Sequence, residues 1–403
     1  MRLAALRIPK AAAWIAGRKT LWADLEAQVA EGDRIIWTHC ASAGELEQGK
    51  PILEALRSAY PGHRIAVSFF SPSGHGVGKR YAAADIVTYL PLDTQANARR
   101  FVRTIRPQLV VFIKYDYWYH HLKAVRDAGI PLLLASALYR EGQVFFKPYG
   151  GFHRRMLHLF TRIFVQDEES LHRLRGIGVT NAQVSGDTRF DRVATIVGKA
   201  GHVEGIDDFL QARPAIVAGS TWAEDEALLV SVAAADGFPY CLVIAPHEIN
   251  ARNIGRLVSA FGSRAVTYSE IQNGLKPGPQ HTVLLVDNIG MLSRLYQYGS
   301  IAYIGGGFNK SGIHNTLEAA AWGRPVIFGP HYEKFREARG LIETRAAMSV
   351  SDVAGLAAAI DAFSDPERLR ESSAAARGYV ACNGGATRTI LGFIQEKRLL
   401  TTP

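Results

Sequence analysis

Cysteine is scarce. Across 403 residues there are three, Cys40, Cys241 and Cys382, far apart and in no metal-ligand or disulfide spacing. That excludes a disulfide-stapled scaffold and favours a reducing compartment. Long apolar runs are missing too: none approaches the roughly 18 residues that cross a bilayer. There is no low-complexity segment and no repeat of fixed period. Several nucleotide and hydrolase signatures fail. "SGHGVGKR" (73–80) has Ser73 where a phosphate loop needs Gly, and Arg80 where it needs Ser or Thr. No Gly-x-Gly-x-x-Gly opens the first half. "HNTLE" is not the His-Glu-x-x-His of a zinc site. No Asp-x-Asp pair is present to hold a divalent metal against a sugar-nucleotide phosphate, and no Gly-x-Ser-x-Gly elbow carries a serine nucleophile.

What is present fits a globular protein with real cores: 48% hydrophobic and 21% charged residues, with 38 Gly and 17 Pro as turn punctuation. The formal net charge is +9, which favours an anionic partner: nucleic acid, an acidic membrane face or a phosphorylated substrate. Lys and Arg concentrate in the N-terminal half, in "NARRFVRTIRP" and "FHRRMLHLFTR". There they alternate with apolar residues at helical spacing, as on basic amphipathic helices. The start, "MRLAALRIPKAAAWIAGRK", is too short in apolar residues for a secretory signal. It reads either as an ordinary first helix or as a segment lying on a membrane surface.

Short β-rich runs alternate with helical patterns from end to end. "RIIWTHC", "RIAVSFF", "DIVTYLP", "LVVFIKY", "PLLLASA" and "RIFVQD" come first; "AIVAGST", "CLVIAP", "TVLLVD", "SIAYIGG" and "PVIFGP" follow. Such near-continuous apolar runs suit parallel strands covered by helices on both faces. A strand-free break near 190–213 separates two sets. The fold class is therefore α/β: two doubly wound, Rossmann-like domains facing a central cleft, with ligands expected beyond the carboxyl ends of the strands. The expected division is 1–195, 196–384, and a terminal helix over 385–403 that packs back on the first domain.

"HCASAGELEQGKP" (39–51) places Glu45 at a strand-to-helix turn, three residues after Ser42. That is capping-box spacing; it also suits a catalytic base, and the residues alone leave both readings open. "SIAYIGGGFNKSGIHNTLEAAAWGRPVIFGPHYEKF" (300–335) runs from a strand into Gly305 to Gly307, then a helix opening around His314 and Asn315. Asn315 and Glu318 share a helical face. A Gly-rich turn and a helix N-terminus suit a phosphate, and a Glu one turn in suits a ribose diol. "VAGSTWAEDE" (217–226), "VIAPHEINARN" (243–253) and "VDNIGMLSRLY" (286–296) supply three more turns on the same rim.

These residues resemble the Kdo transferases, which attach 3-deoxy-D-manno-octulosonic acid (Kdo) to the lipid A precursor. The likeness runs in order from about residue 34 to 345. "HCASAGE" stands where that family has His-x-x-Ser-x-Gly-Glu, "SFFSPSG" at its second loop, and "AGSTWAEDE" and "VDNIGML" follow. "GGGFNKSGIHNTLEAAAWGRPVIFGPHYEKF" matches its Gly-Gly…His-Asn-x-Leu-Glu…Gly-x-Pro…Gly-Pro block. Two places depart from the pattern. "KYDYWYHH" stands for Glu-x-Glu-x-Trp-Pro. Pro246-His247-Glu248 stands for Pro-Arg-His, so an imidazole replaces a guanidinium.

The resemblance implies a GT-B fold and an inverting, metal-independent transfer of Kdo from CMP-Kdo to a lipid A precursor of the lipid IVA kind, within lipopolysaccharide biosynthesis and with no cofactor. It implies an N-terminal domain that takes the acceptor and faces the membrane, and a C-terminal domain that takes the donor. Glu45 matches the catalytic base. Gly219, Ser220, Thr221, His247, Gly290, Asn315 and Glu318 match donor-site positions; Ser71, Ser73 and Gly74 match the acceptor-side loop. The implied place is the cytoplasmic face of the bacterial inner membrane, peripheral or monotopic, on an anionic lipid surface. Two enzymatic rivals share the architecture: a lipid glycosyltransferase with a uridine nucleotide donor, and a hydrolysing sugar-nucleotide epimerase. A nucleic-acid-binding module is disfavoured, because the interleaved aromatic and basic pattern for it is missing.

Overall fold

The computed structural model describes residues 9–400. Much of the basic apolar start considered above as a membrane-surface segment lies outside them. A helix is in place at Pro9–Ala16. The chain forms two compact units, one reaching to Arg192 and taking in the stretch from Gly384, the other Val193–Asn383.

The first unit holds β1 (Ile35–Cys40), β2 (Arg64–Phe69), β3 (Ile86–Tyr89), β4 (Pro107–Ile113), β5 (Leu132–Ala137), β6 (Arg162–Val165) and β7 (Ala182–Val184). They lie in the order β3-β2-β1-β4-β5-β6-β7, every neighbouring pair parallel. The period of two in each strand builds two cores, one per face. Ile35 and Trp37 of β1 join Val110 and Phe112 of β4 in one layer. Ile36 joins Leu109, Val111 and Ile113 in the other. Both layers are dry, which is why these strands read as unbroken apolar runs. Trp37 is fully buried and donates its indole N–H to Ser68 Oγ at 2.7 Å. Truncating a side chain of that size to Ala costs about 3–5 kcal/mol.

The C-terminal helix, Ala386–Glu396, belongs to this first unit. Its Ile390, Phe393 and Ile394 pack in the second layer with Leu46, Leu53 and Leu56 of helix Ala43–Ala59. Asp191 fixes its start by accepting the amides of Gly385 and Thr387 at 2.6 and 2.7 Å.

The second unit holds β8 (Ala215–Thr221), β9 (Cys241–Pro246), β10 (Ala265–Thr267), β11 (Val283–Leu285), β12 (Ile301–Ile304), β13 (Val326–Phe328) and β14 (Ala347–Ser349). The order is β10-β11-β9-β8-β12-β13-β14, again wholly parallel. Each unit is thus a doubly wound α/β sheet, as the alternation of strand and helix patterns requires.

Each sheet reverses its winding once. In the first unit the reversal lies between β1 and β4, in the second between β8 and β12. At such a point successive connections leave in opposite directions and open a crevice beyond the carboxyl ends. The turn after β1 carries Glu45. Gly219 to Thr221 form the carboxyl end of β8, and the stretch after β12 runs from Gly305 to Glu318.

Candidate active site

At the first switch point Glu45 is the third residue of helix Ala43–Ala59, with Ser42 as its N-cap in extended backbone. The Glu45 carboxylate accepts the Ser42 amide at 3.0 Å; the reciprocal half of the capping box, from the Glu45 amide to the Ser42 side-chain oxygen, is looser. Beneath it lies His39, with no exposed surface. Its Nε2 meets Asp116 Oδ2 at 2.8 Å and its Nδ1 meets Ser68 Oγ at 2.8 Å. A carboxylate can only accept, so the imidazole carries its proton on Nε2. Asp116 Oδ2 also accepts the Trp118 indole N–H at 3.2 Å. The result is a chain of polar contacts, Trp37–Ser68–His39–Asp116–Trp118, running across β2, β1 and the turn after β4.

Burial, then the nearby Asp116 carboxylate, push the Glu45 carboxyl above its usual range. His39 and the amides of Ser42 and Ala41 pull the other way without cancelling it. A carboxylate so placed is a stronger base than one in water.

Ser71, Ser73 and Gly74 come together beside this turn. Ser71 caps the helix Pro72–Gly78, its hydroxyl accepting the Gly74 amide at 3.1 Å. Ser71 Oγ and Ser73 Oγ are 3.4 Å apart. The amides of Phe70 and Ser71 donate to the Ala41 carbonyl, at 3.3 and 2.9 Å. A Cβ on Gly74 would meet Phe69 at 2.7 Å and the Ser42 backbone at 3.0 Å. Only glycine lets the two loops close up on each other.

At the second switch point the Gly305 amide donates to the Gly219 carbonyl at 2.9 Å, and the His247 amide to the Thr221 carbonyl at 2.9 Å. Gly219 has a packing reason of its own: a Cβ there would stand 2.1 Å from the Tyr296 hydroxyl. Ser220 adopts a left-handed φ of 55°. Thr221 is buried and donates to Glu226 Oε1 at 3.0 Å; Arg256 in turn pairs with Glu226. Gly290 lies in an exposed turn, while Leu292, two residues on, packs at Gly219.

Asn315 Nδ2 donates to Glu318 Oε1 at 3.0 Å, so this pair is in contact. The helix differs from its expected start. It spans only Leu317–Ala321, with Thr316 as cap, because Asn315 Oδ1 takes the Leu317 amide at 3.1 Å and holds the preceding backbone in a turn. The Gly-rich turn is also more committed than its sequence suggests. The amides of Gly305, Gly306 and His314 all donate within the fold.

Two groups of this rim, Asp225 and Trp222, were not singled out from the sequence. Asp225 is fully buried and accepts the Trp222 and Gly306 amides at 2.9 Å each and the Tyr303 hydroxyl at 2.8 Å. It fastens the glycine turn to the sheet, and burial still raises its pKa despite those donors. Trp222 Nε1 donates to His314 Nε2 at 3.0 Å, and the two rings lie within 10° of coplanar. His247 stacks over both, with centroids 4.5 Å from each. Burial, then His247, push the His314 pKa down, so His314 is neutral at pH 7. The "HNTLE" and "STWAED" segments carried these side chains, but only the tertiary fold shows that they form one plate. Among the described residues no cluster of three or more His, Cys, Asp or Glu side chains is arranged to hold a metal ion.

Two parallel seven-stranded sheets, each with its candidate site at its own switch point, define the class: a glycosyltransferase-type twin-Rossmann architecture. The same fold is seen in the UDP-GlcNAc 2-epimerase of Neisseria meningitidis, with a TM-score of 0.64, 15% identity and coverage of 90% of this chain and 100% of that one. The likeness there is one of fold. The family model for 3-deoxy-D-manno-octulosonic-acid transferase matches residues 16–192. The chain is 28% identical over 379 residues to the 3-deoxy-D-manno-octulosonic acid transferase of Bordetella pertussis, covering 90% of this chain and 87% of that protein. It is 26% identical over 317 residues to the enzyme of that name from Aquifex aeolicus, covering 77% and 80%. Over most of its length the chain is thus similar to the Kdo transferases, which are glycosyltransferases.

Proposed function

We propose that this protein transfers Kdo from CMP-Kdo to a hydroxyl of a lipid A precursor, with inversion and without a metal ion. The observation that carries the reading is Glu45: a carboxylate of raised basicity, at the first unit's switch point, on the residue that matches the family's base. The nucleophile is a neutral sugar hydroxyl. As its oxygen attacks the anomeric carbon, Glu45 takes its proton; general-base assistance of this kind is worth about 100- to 10,000-fold. Asp116, held by His39, keeps a like charge near the base. Ser71, Ser73 and Gly74 form the acceptor-side loop.

The second unit takes CMP-Kdo. Glu318, held by Asn315, accepts from the ribose hydroxyls. Ser220, Thr221 and the turns at Gly219 and Gly290 frame the nucleotide. His247, stacked on the Trp222–His314 plate, presents its free ring edge to the anionic donor. The absence of an Asp-x-Asp carboxylate pair from the sequence motivates the metal-free reading. The partners are CMP-Kdo, a lipid IVA-like acceptor and an anionic membrane surface, which places the reaction at the cytoplasmic face of an inner membrane. No helix among the described residues is long and apolar enough to cross a membrane.

The test is incubation with CMP-Kdo and a tetraacyl lipid A precursor, with products weighed. A mass increase of one or more Kdo units with release of CMP supports the proposal. Turnover of a uridine donor instead, or release of free sugar with no lipid product, points to one of the two rivals.

A further inference from the structure

The turns at Gly219 and Gly290 and the Glu318 carboxylate serve the nucleotide half of the donor. Its sugar half carries a carboxylate and needs a seat of its own. Beside the ring plate of the second unit a cavity of about 470 Å³ opens between Thr221 and Trp222, at the end of β8, and Glu248 and Asn250, after β9. Helix Ala251–Phe261 lines it with Arg252 and Arg256. Small-molecule sites run from roughly 300 to 1,000 Å³, so one sugar fits.

Some polar groups of this cavity are already satisfied. Arg256 pairs with the buried Glu226 and donates to Asn253 Oδ1 at 2.6 Å. Asn253 Nδ2 donates to the Glu248 carbonyl at 3.0 Å, and Asn250 Oδ1 accepts the Asn253 amide at 2.9 Å. Others are not. Among the described residues the Arg252 guanidinium, the Glu248 carboxylate and Asn250 Nδ2 have no hydrogen-bond or ion-pair partner, and all three residues are exposed. Singly, such groups are ordinary surface. On the wall of one cavity they match the functional groups of a sugar acid. A guanidinium grips a carboxylate through two parallel hydrogen bonds. A carboxylate accepts from sugar hydroxyls, and an amide N–H donates to them. The family pattern has its guanidinium at position 247, where this chain carries His247, stacked on Trp222. An imidazole lacks that planar fork. Arg252, on the helix that follows, supplies one.

We infer that this cavity seats the sugar half of the donor, with Arg252 on its carboxylate and Glu248 and Asn250 on its hydroxyls. The inference rests on the proposed CMP-Kdo donor. It adds how the second unit tells a sugar acid from a neutral sugar: a donor without the carboxylate leaves the Arg252 grip unmade.

Calorimetry in the absence of acceptor is the test. CMP and freshly made CMP-Kdo are titrated into the full chain and into Arg252→Gln. The wild type is expected to bind CMP-Kdo about tenfold or more tightly than CMP, as one charge-assisted pair of hydrogen bonds provides. Arg252→Gln should abolish that preference by weakening CMP-Kdo alone, with CMP affinity held. Arg252 is exposed, so the melting temperature should hold as well. A wild type that binds CMP-Kdo no more tightly than CMP, or an unchanged CMP-Kdo affinity in Arg252→Gln, overturns the inference. Equal weakening of both ligands overturns it too, because Arg252 would then serve the nucleotide. No acceptor is present in these titrations, so the two readings fail separately. An Arg252-dependent preference for CMP-Kdo in a chain that makes no lipid product sustains this inference and defeats the proposed transfer. Transfer to lipid with no effect of Arg252→Gln on CMP-Kdo affinity does the reverse.

Discussion

At neutral pH the Glu45 carboxylate accepts the Ser42 amide and sits at a helix start, where the dipole favours negative charge. Burial and Asp116 oppose ionisation more strongly. The cap and the base are therefore compatible roles of one side chain: the cap aims the carboxylate, and the environment raises its proton affinity. As a base Glu45 works when deprotonated, so the rate should fall on the acid side at a pH above that of an ordinary glutamate. Removing Asp116's charge removes one of the two effects that raise this pKa. Asp116→Asn should shift the acid limb of kcat/KM to lower pH, while His39 Nε2–H keeps an acceptor in the amide oxygen. Besides Asp116 and His39, the titratable groups that interact with Glu45 are Cys40 and Tyr115, both pushed up by burial and neutral in this range. An unmoved acid limb, measured from pH 5 to 8, would mean that Asp116 only shapes the turn. Linkage gives a second sign. A carboxyl whose folded pKa is raised favours the fold below its unfolded value, and that contribution is lost as pH rises through the folded one. Above that window Glu45→Gln should not lower the melting temperature.

At the scale of elements, the turns after β8 and β12 depend on one buried carboxylate. Asp225→Ala would leave the amides of Trp222 and Gly306 and the Tyr303 hydroxyl without their acceptor. Orphaned buried donors cost roughly 1–3 kcal/mol each, so hydrogen exchange at the Gly306 amide should accelerate by at least a hundredfold. Exchange at the wild-type rate contradicts the anchoring role. Glu318→Ala should weaken CMP binding by about 1.5–3 kcal/mol, as for a hydrogen bond to a charged group; unchanged affinity by calorimetry would separate Glu318 from the ribose. These elements also mark what a sequence can disclose. The central strands were legible because both faces are buried and the residues say so, as in "IIWTHC" and "CLVIAP". β7, β10 and β14 were not: each is three residues at a sheet edge, "AQV", "AVT" and "AMS", with too little apolar run to stand out. Helix Leu317–Ala321 began late because a side chain, Asn315, outcompeted the backbone for its first amide. Glu45 and the Gly-rich turn were visible as local motifs. Asp116 was quoted only as a departure from the family pattern. Its partnership with His39 joins residues 77 apart, and no local pattern encodes that.

For the whole molecule, the net charge of +9 and the absence of a spanning helix among the described residues set one further expectation. Attachment to anionic vesicles should be reversible, released at least in part by high salt or alkaline carbonate; extraction by detergent alone would contradict it. Transfer from ready-made CMP-Kdo should continue in excess EDTA, and complete loss restored by magnesium would contradict metal independence. The most direct trial of the central claim joins chemistry to fold in a single sample. Wild type and Glu45→Gln are given CMP-Kdo and tetraacyl lipid A precursor, and the initial rate of Kdo addition and the melting temperature are measured on the same preparation. Gln can occupy the third position of a capping box but cannot take the hydroxyl proton. The account predicts a rate about 100-fold or more below wild type, with melting temperature and CMP-Kdo affinity held. A rate per folded molecule equal to wild type, with a lowered melting temperature, would show that Glu45 caps its helix and does no chemistry.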